Sequence, residues 1–231
     1  MNRTLVITSI WGLLLAFAVA YQPLAQAAVD FKTFPDPKED LKIAPDAGPQ
    51  TVVLAGGCFW CTEGVFENTP GIVDVVSGYA GGTAETATYE TVSTGTTGHA
   101  ESVRIVYDPK KTSFGKILKV FFAIAHDPTT KDRQGPDTGH QYRSAIFYAN
   151  DDQKRVAEAY IKQLNDAKVF PGPIVTTLEP LKGFYPAEQY HQDFVKNNPT
   201  YPYILQQALP KVEKARKAAE ESMSKSPTSQ P

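Results

Sequence analysis

Cysteine is nearly absent from this chain, whose 231 residues hold two cysteines, two methionines, two tryptophans and four histidines. Two thiols cannot form a structural zinc site unaided, and His99, His126, His140 and His191 are too scattered to suggest a ligand spacing, so no metal site is expected. An excess of either charge is missing as well: 23 basic side chains face 25 acidic ones, and no nucleic-acid partner is expected. Internal repeats and heptad runs are lacking, which argues against a solenoid or a coiled coil.

Long apolar runs are also scarce. The one that stands out covers residues 5–20, after Arg3 and before the small residues of Ala25-Gln26-Ala27-Ala28. That order is the pattern of a secretory signal peptide, so residues 1–28 are assigned to one, with cleavage expected after Ala27. A membrane anchor formed by residues 5–20 is the alternative, although the run is at the short end of the ~17–25 residues a spanning helix needs. Cleavage removes one arginine and no acid, leaving 22 basic against 25 acidic residues and a net charge of −3. The mature protein is expected to be periplasmic or secreted, monomeric, and without stable membrane association.

Residues 29–49 carry Pro35, Pro37, Pro45 and Pro49 without an apolar period and read as an extended leader. Residues 205–223 favour helix, and 224–231 read as disordered. The folded unit is therefore placed at residues 50–204, one domain of ordinary size. Within it, patterning predicts strands at 51–55, 73–79, 101–107, 144–148 and 174–178, and helices at 58–68, 114–125 and 151–164. Helices alternating with about five strands suggest an α+β two-layer sandwich.

Chemistry is expected where Gly56-Gly57-Cys58-Phe59-Trp60-Cys61 links a short apolar strand to a helix. A sulfur at the first residue of a helix lies over unpaired N–H groups at the positive end of the dipole, and both favour the thiolate. The glycines permit a tight turn and close approach of a substrate to the backbone. A structural disulfide is the competing account, but a bridge across so few residues restrains the unfolded chain little. Residues three apart on a helix also hold their Cβ atoms about 5–6 Å apart, against the 3.5–4.5 Å a disulfide wants, so such a bond is strained and easily reduced. Phe59 and Trp60 either pack in the core or form an apolar cradle for a methyl or thioether.

Glu101 shares strand parity with Val103, Ile105 and Tyr107, which draws its carboxyl toward the apolar face. A carboxyl held there stays protonated to higher pH and can act as a general acid, whereas at a strand end it could equally reach solvent. The polar, glycine-rich stretch 132–143 leads into a strand and is a second place where site residues could collect.

Taken together, several ordered motifs resemble the type A peptide methionine sulfoxide reductases. They are Gly57-Cys58-Phe59-Trp60, Val76-Ser77-Gly78-Tyr79-Ala80-Gly81-Gly82, Thr88-Tyr89-Glu90, Thr97-Gly98-His99-Ala100-Glu101, Val106-Tyr107-Asp108-Pro109, His126-Asp127-Pro128 and Gln141-Tyr142-Arg143-Ser144. The resemblance covers about residues 51–204, and Cys61 places the chain near a Gly-Cys-Phe-Trp-Cys subgroup. It implies a mixed-sheet sandwich related to ferredoxin-like, split βαβ folds, and reduction of the S-epimer of methionine sulfoxide, free or in proteins. By position it implies Cys58 as nucleophile, Phe59 and Trp60 as the methyl cradle, and Glu101 as proton donor. Tyr89 and Tyr142 become hydrogen-bond donors to the sulfoxide oxygen, and Asp137 a further substrate-binding residue. No bound cofactor is implied; a thioredoxin-like external dithiol would restore the thiols. Many relatives carry resolving thiols near the C-terminus, but residues 205–231 have none; the resemblance to the subgroup with a cysteine at position 61 implies Cys61 as the resolving thiol. A thiol-disulfide oxidoreductase acting directly through the Cys-x-x-Cys pair is the rival enzyme, and an exported binding module with a stapled helix the rival without catalysis.

Overall fold

The structure is a computed structural model that describes residues 30–224. The expected signal peptide or anchor, and the tail from residue 225, lie outside the described residues. Strand β1 (Gln50–Gly56) leads into helix α1 (Phe59–Glu67), then strand β2 (Ile72–Ala80), a short helix α2 (Tyr89–Val92) and strand β3 (Ala100–Tyr107). Helix α3 (Phe114–Val120) follows, then the two-residue strands β4 (Arg133–Gln134) and β5 (Asp137–Thr138), strand β6 (Ser144–Tyr148) and helix α4 (Asp151–Asp166). Strands β7 (Thr177–Pro180) and β8 (Phe184–Pro186) and helices α5 (Phe194–Asn197) and α6 (Leu209–Ser224) complete the chain.

Six strands form one mixed sheet in the order β7-β6-β1-β3-β2-β8, and β4 pairs only with β5. Both β1 and β2 run antiparallel to β3, so they are parallel to each other with β3 between them and α1 crossing over. That is a split βαβ unit. All neighbours pair antiparallel except β6 and β7. The helices bury one face of the sheet, around Leu54, Phe66, Ile105, Phe121, Ile146 and Val156. A smaller cluster of Val53, Ala55, Ala80, Ala100, Ala145 and Phe147 forms on the other. Alternation along β3 fixes this division, since one residue in two must face the helices.

Four features differ from the expected pattern. The helix expected over 114–125 is α-helical only to Val120, and Phe121–Ala125 widens into a π turn. His126, whose ring nitrogen lies 3.0 Å from the Phe121 carbonyl oxygen, sits immediately beyond this turn. The strand expected at 174–178 begins instead at Thr177, because the Ile174 amide donates to Asn165 Oδ1 and the Val175 amide to the Pro128 carbonyl, outside any ladder. β8 carries no apolar alternation long enough to announce itself. Finally, the chain on either side of 50–204 is docked. Phe34 is buried, Asp40 accepts from the Gly115 amide and the Ser113 hydroxyl at the start of α3, and Val212, Ala215 and Ala218 of α6 are buried in the core that includes α1.

Candidate active site

β1 runs out at Gly56, and Gly57, with φ of 84°, makes the left-handed step into α1. A side chain there would also meet Gln134, which ends β4 and is pinned by hydrogen bonds to both the amide and the carbonyl of Asp127. Glycine is therefore required at this turn for backbone and for space. Cys58 becomes the N-cap of α1, and Phe59, Trp60 and Cys61 fill its first turn.

Glu101 enters from β3. The β1–β3 register ends with Leu54 opposite Val103, so Glu101, two residues further, lies level with the turn from β1 into α1. Its carboxyl is buried, not solvent-facing, and accepts the Phe59 amide at 3.0 Å. Burial pushes Glu101 up to about 8 despite this hydrogen bond, so the group holds its proton at neutrality.

The cysteines are both free and buried. They contrast with the helix-end expectation: Cys58 is pushed well above its ordinary value, first by burial, then by its hydrogen bond and charge coupling to Cys61 and by Glu101. Cys58 makes no capping hydrogen bond through its sulfur, and the first free amide of the helix, that of Phe59, is engaged by Glu101. Cys61 is drawn down to about 7, first by the hydrogen bond with Cys58 and, against burial, by Lys211 and Tyr203. Its sulfur lies 3.9 Å from the Tyr203 hydroxyl, which donates in turn to Asp137 Oδ2.

Phe59 is fully buried, against Tyr79 and His191 with ring centroids 5.9 and 5.0 Å away. Trp60 is half-buried, stacks on Phe194 at 3.8 Å and donates its indole N–H to His191 Nδ1 at 3.2 Å. Tyr89 opens α2, packs on His191 at 4.3 Å, and its amide donates to Glu188 Oε1 at 2.9 Å; Tyr79 donates its hydroxyl to the other oxygen of the same carboxylate. Tyr89 and Tyr142 are both raised, first by burial and next by Glu101, with Cys58 contributing to each. They remain hydroxyl donors at any physiological pH. Every residue singled out from the sequence thus falls around the start of α1, but Asp137 reaches the cysteines on the Tyr203 side.

Glu188, His191, Tyr203 and Lys211 were not anticipated. Their only sequence signal is an aromatic cluster, Tyr185, Tyr190, Tyr201 and Tyr203, in a stretch without apolar period. The four histidines are accounted for locally: His99 bonds the Gly82 amide and lies 2.9 Å from the Thr83 carbonyl, His126 bonds Ser144, His140 faces Asp132, and His191 serves Trp60.

A protonated carboxyl, two neutral phenols and a thiol pair converge here, and that combination can deliver protons to an oxygen while sulfur is attacked and then re-form the thiol. It defines a cysteine-dependent redox enzyme, and known proteins say which kind. The sequence profile described as "peptide methionine sulfoxide reductase" matches residues 50–223. A peptide methionine sulfoxide reductase MsrA 2 of Mesorhizobium japonicum is 58% identical over 173 residues, covering 75% of this chain and 88% of that protein. The MsrA of Thermus thermophilus is 52% identical over 169 residues, covering 73% and 94%. Among solved structures, reduced Mxr1 of Saccharomyces cerevisiae superposes with a TM-score of 0.60 at 37% identity, covering 69% of this chain and 91% of that one. Methionine sulfoxide reductase A of Corynebacterium diphtheriae gives 0.57 at 38% identity, covering 72% and 84%. The chain belongs to the peptide methionine sulfoxide reductase family.

Proposed function

We propose that this protein reduces the S-epimer of methionine sulfoxide, free or in proteins, to methionine and so repairs oxidised proteins. One observation supports this above all: Glu101 is buried beside the nucleophile's helix, held by the Phe59 amide, and still carries its proton near neutrality. Two neutral tyrosine hydroxyls beside such an acid suit a substrate oxygen that gathers charge and a proton, which a sulfoxide has and a disulfide has not. The Cys58 sulfur attacks the sulfoxide sulfur as Glu101 passes its proton to the oxygen, with Tyr89 and Tyr142 stabilising the charge that develops there. The protonated oxygen passes from the substrate sulfur to the Cys58 sulfur, so that the substrate S–O bond and the transient bond between the two sulfurs break as a Cys58 S–OH bond forms, and methionine leaves with Cys58 as a sulfenic acid. Cys61 then attacks the Cys58 sulfur, water departs, and a Cys58–Cys61 disulfide remains for an external thioredoxin-like dithiol to reduce.

The reading is tested by following thiol loss and product with each epimer: two thiols should be consumed per S-sulfoxide and none per R-sulfoxide. Equal use of both epimers would refute it. Cys61→Ser should complete one turnover and stop, and unimpaired multiple turnover with a thioredoxin-type dithiol would remove Cys61 from recycling.

We further propose that the enzyme works outside the cytoplasm after cleavage following Ala27. The support is the apolar run at 5–20 followed by Ala25-Gln26-Ala27. Mass spectrometry of the mature N-terminus tests this, and an intact Met1 on exported protein would point to the anchor instead.

A further inference from the structure

The cysteine pair has a second approach besides the aromatic one. A cavity of about 410 Å³ reaches both Cys58 and Cys61 from the side of the β4–β5 loop and α6, and none of Phe59, Trp60, Tyr89, Glu101 or Tyr142 lines it. Tyr203 stands between the two sides, its ring edge-to-face with Trp60 at 5.9 Å and its hydroxyl on Asp137. The cavity is of the size that holds a small ligand.

Its walls have a definite charge. Arg133, Lys211 and Lys214 line it, and none of the three forms an ion pair among the described residues. The two acids beside them are engaged: Asp127 accepts from the amide and hydroxyl of Thr129, and Asp137 accepts from Tyr203. Three cations without an ion-pair partner among the described residues, Arg133 held through its Nε–H on the Gly135 carbonyl and Lys211 acting on Asp137 and Cys61, surround an opening to two thiols and form a receptor for an anion that carries sulfur.

We propose that this cavity admits a carboxylate-bearing low-molecular-weight thiol as reductant of the oxidised enzyme, by a route separate from that of the sulfoxide. The inference rests on the Cys58–Cys61 disulfide of the proposed cycle. The incoming thiolate attacks the Cys58 sulfur and the Cys58–Cys61 bond breaks. Cys61 leaves as a thiolate facing Lys211 and the Tyr203 hydroxyl. A second thiol then attacks the reductant's sulfur in the mixed disulfide, releasing Cys58 and the oxidised reductant. Two thiols thus supply two electrons, and the carboxylates rest against Arg133, Lys211 and Lys214.

The test starts from full-length enzyme oxidised by one equivalent of methionine S-sulfoxide, with the loss of two hydrogens confirmed by mass. Reduction is then timed with mercaptosuccinate, 2-mercaptoethanol and cysteamine at equal thiolate concentration. Mercaptosuccinate should be fastest, and its advantage should fall about tenfold in the Arg133→Glu/Lys214→Glu variant and shrink in high salt, while the single-turnover rate of sulfoxide reduction stays unchanged. Absence of a charge order, or an order that survives the charge reversal, would overturn the proposal. So would a variant that slows only a thioredoxin-type dithiol, since the surface would then serve a protein. Failure of the disulfide to form would overturn recycling through Cys61 together with this inference, whereas a disulfide reduced without charge preference overturns this inference alone.

Discussion

The amide of Phe59 donates to the carboxyl of Glu101 at 3.0 Å, a contact between residues 42 apart in sequence. It joins the helix that carries Cys58 to the central strand, and it fixes the acid beside the sulfur it serves. Burial leaves this carboxyl protonated until about pH 8, so proton delivery should fail above that pH.

Glu101→Gln should lower the single-turnover rate by about 10²–10⁴, because the amide still accepts from Phe59 but has no acidic proton to give. Above about pH 8 the native rate should stop rising with pH even though the Cys58 thiolate fraction still grows, and the variant, lacking the acid, should keep rising through that point. Stopped-flow single turnovers between pH 6 and 10 measure both.

The same substitution should change stability with a defined sign. The folded carboxyl holds its proton to about pH 8 and the unfolded one to about pH 4.3, so the folded state binds more protons between these values. Stability contributed by the neutral acid is therefore lost as pH rises through that window. Relative to the native protein, Glu101→Gln should gain in urea midpoint from pH 4 to pH 8; a constant difference would refute the assignment.

Glu63, buried in α1 with one carboxylate oxygen unpartnered, is pushed up to about 7, first by burial and then by Glu67. By the same sign, its contribution weakens from about pH 4.3 to about 7. Glu63→Gln should stabilise the protein at pH 8 and change little at pH 4, as judged by thermal melts.

His191 accepts the Trp60 indole N–H at 3.2 Å while packing on both Phe59 and Tyr89. His191→Ala leaves a partly buried donor without its acceptor, a loss of about 1–3 kcal/mol. The expected result is a raised KM with a smaller change in kcat, and a shifted Trp60 emission. A kcat loss at constant KM would place His191 in proton transfer instead.

Asp40 lies in the segment the sequence presents as a leader, yet it caps α3 through the Gly115 amide at 2.9 Å and the Ser113 hydroxyl. Asp40→Ala should cost about 0.5–2 kcal/mol in urea unfolding without altering the sulfoxide reaction. An unchanged midpoint would show that residues 30–49 are not part of the folded unit.

Local pattern was enough to read β1, α1, β2, β3, β6 and α4, because each carries its own alternation or helical period within a few residues. It was also enough to bring Glu101 under suspicion, since strand parity with Val103 and Ile105 is a local property. The docking of residues 30–49 and of α6 was not legible, because a proline-rich segment or a charged helix reveals its partner only once the surface it covers exists. The widening of α3 at Phe121 and the delayed start of β7 depend on contacts with His126, Asn165 and Pro128, which local propensity does not contain.

By itself, the sequence determined the helix and strand segments of an α+β chain, the placement of Cys58 at a strand-to-helix turn, and the family to which the motifs belong, all of which reside in short-range order; the split βαβ pairing of β1 and β2 through β3 was implied only by the family resemblance. Only the tertiary structure decided the electrostatics of the thiols. The first amide of the helix is engaged by Glu101, burial raises Cys58, and Cys61 is drawn down by its hydrogen bond with Cys58 and by Lys211 and Tyr203, brought in by the C-terminal chain. Burial and charge act through space, and no spacing along the chain records them.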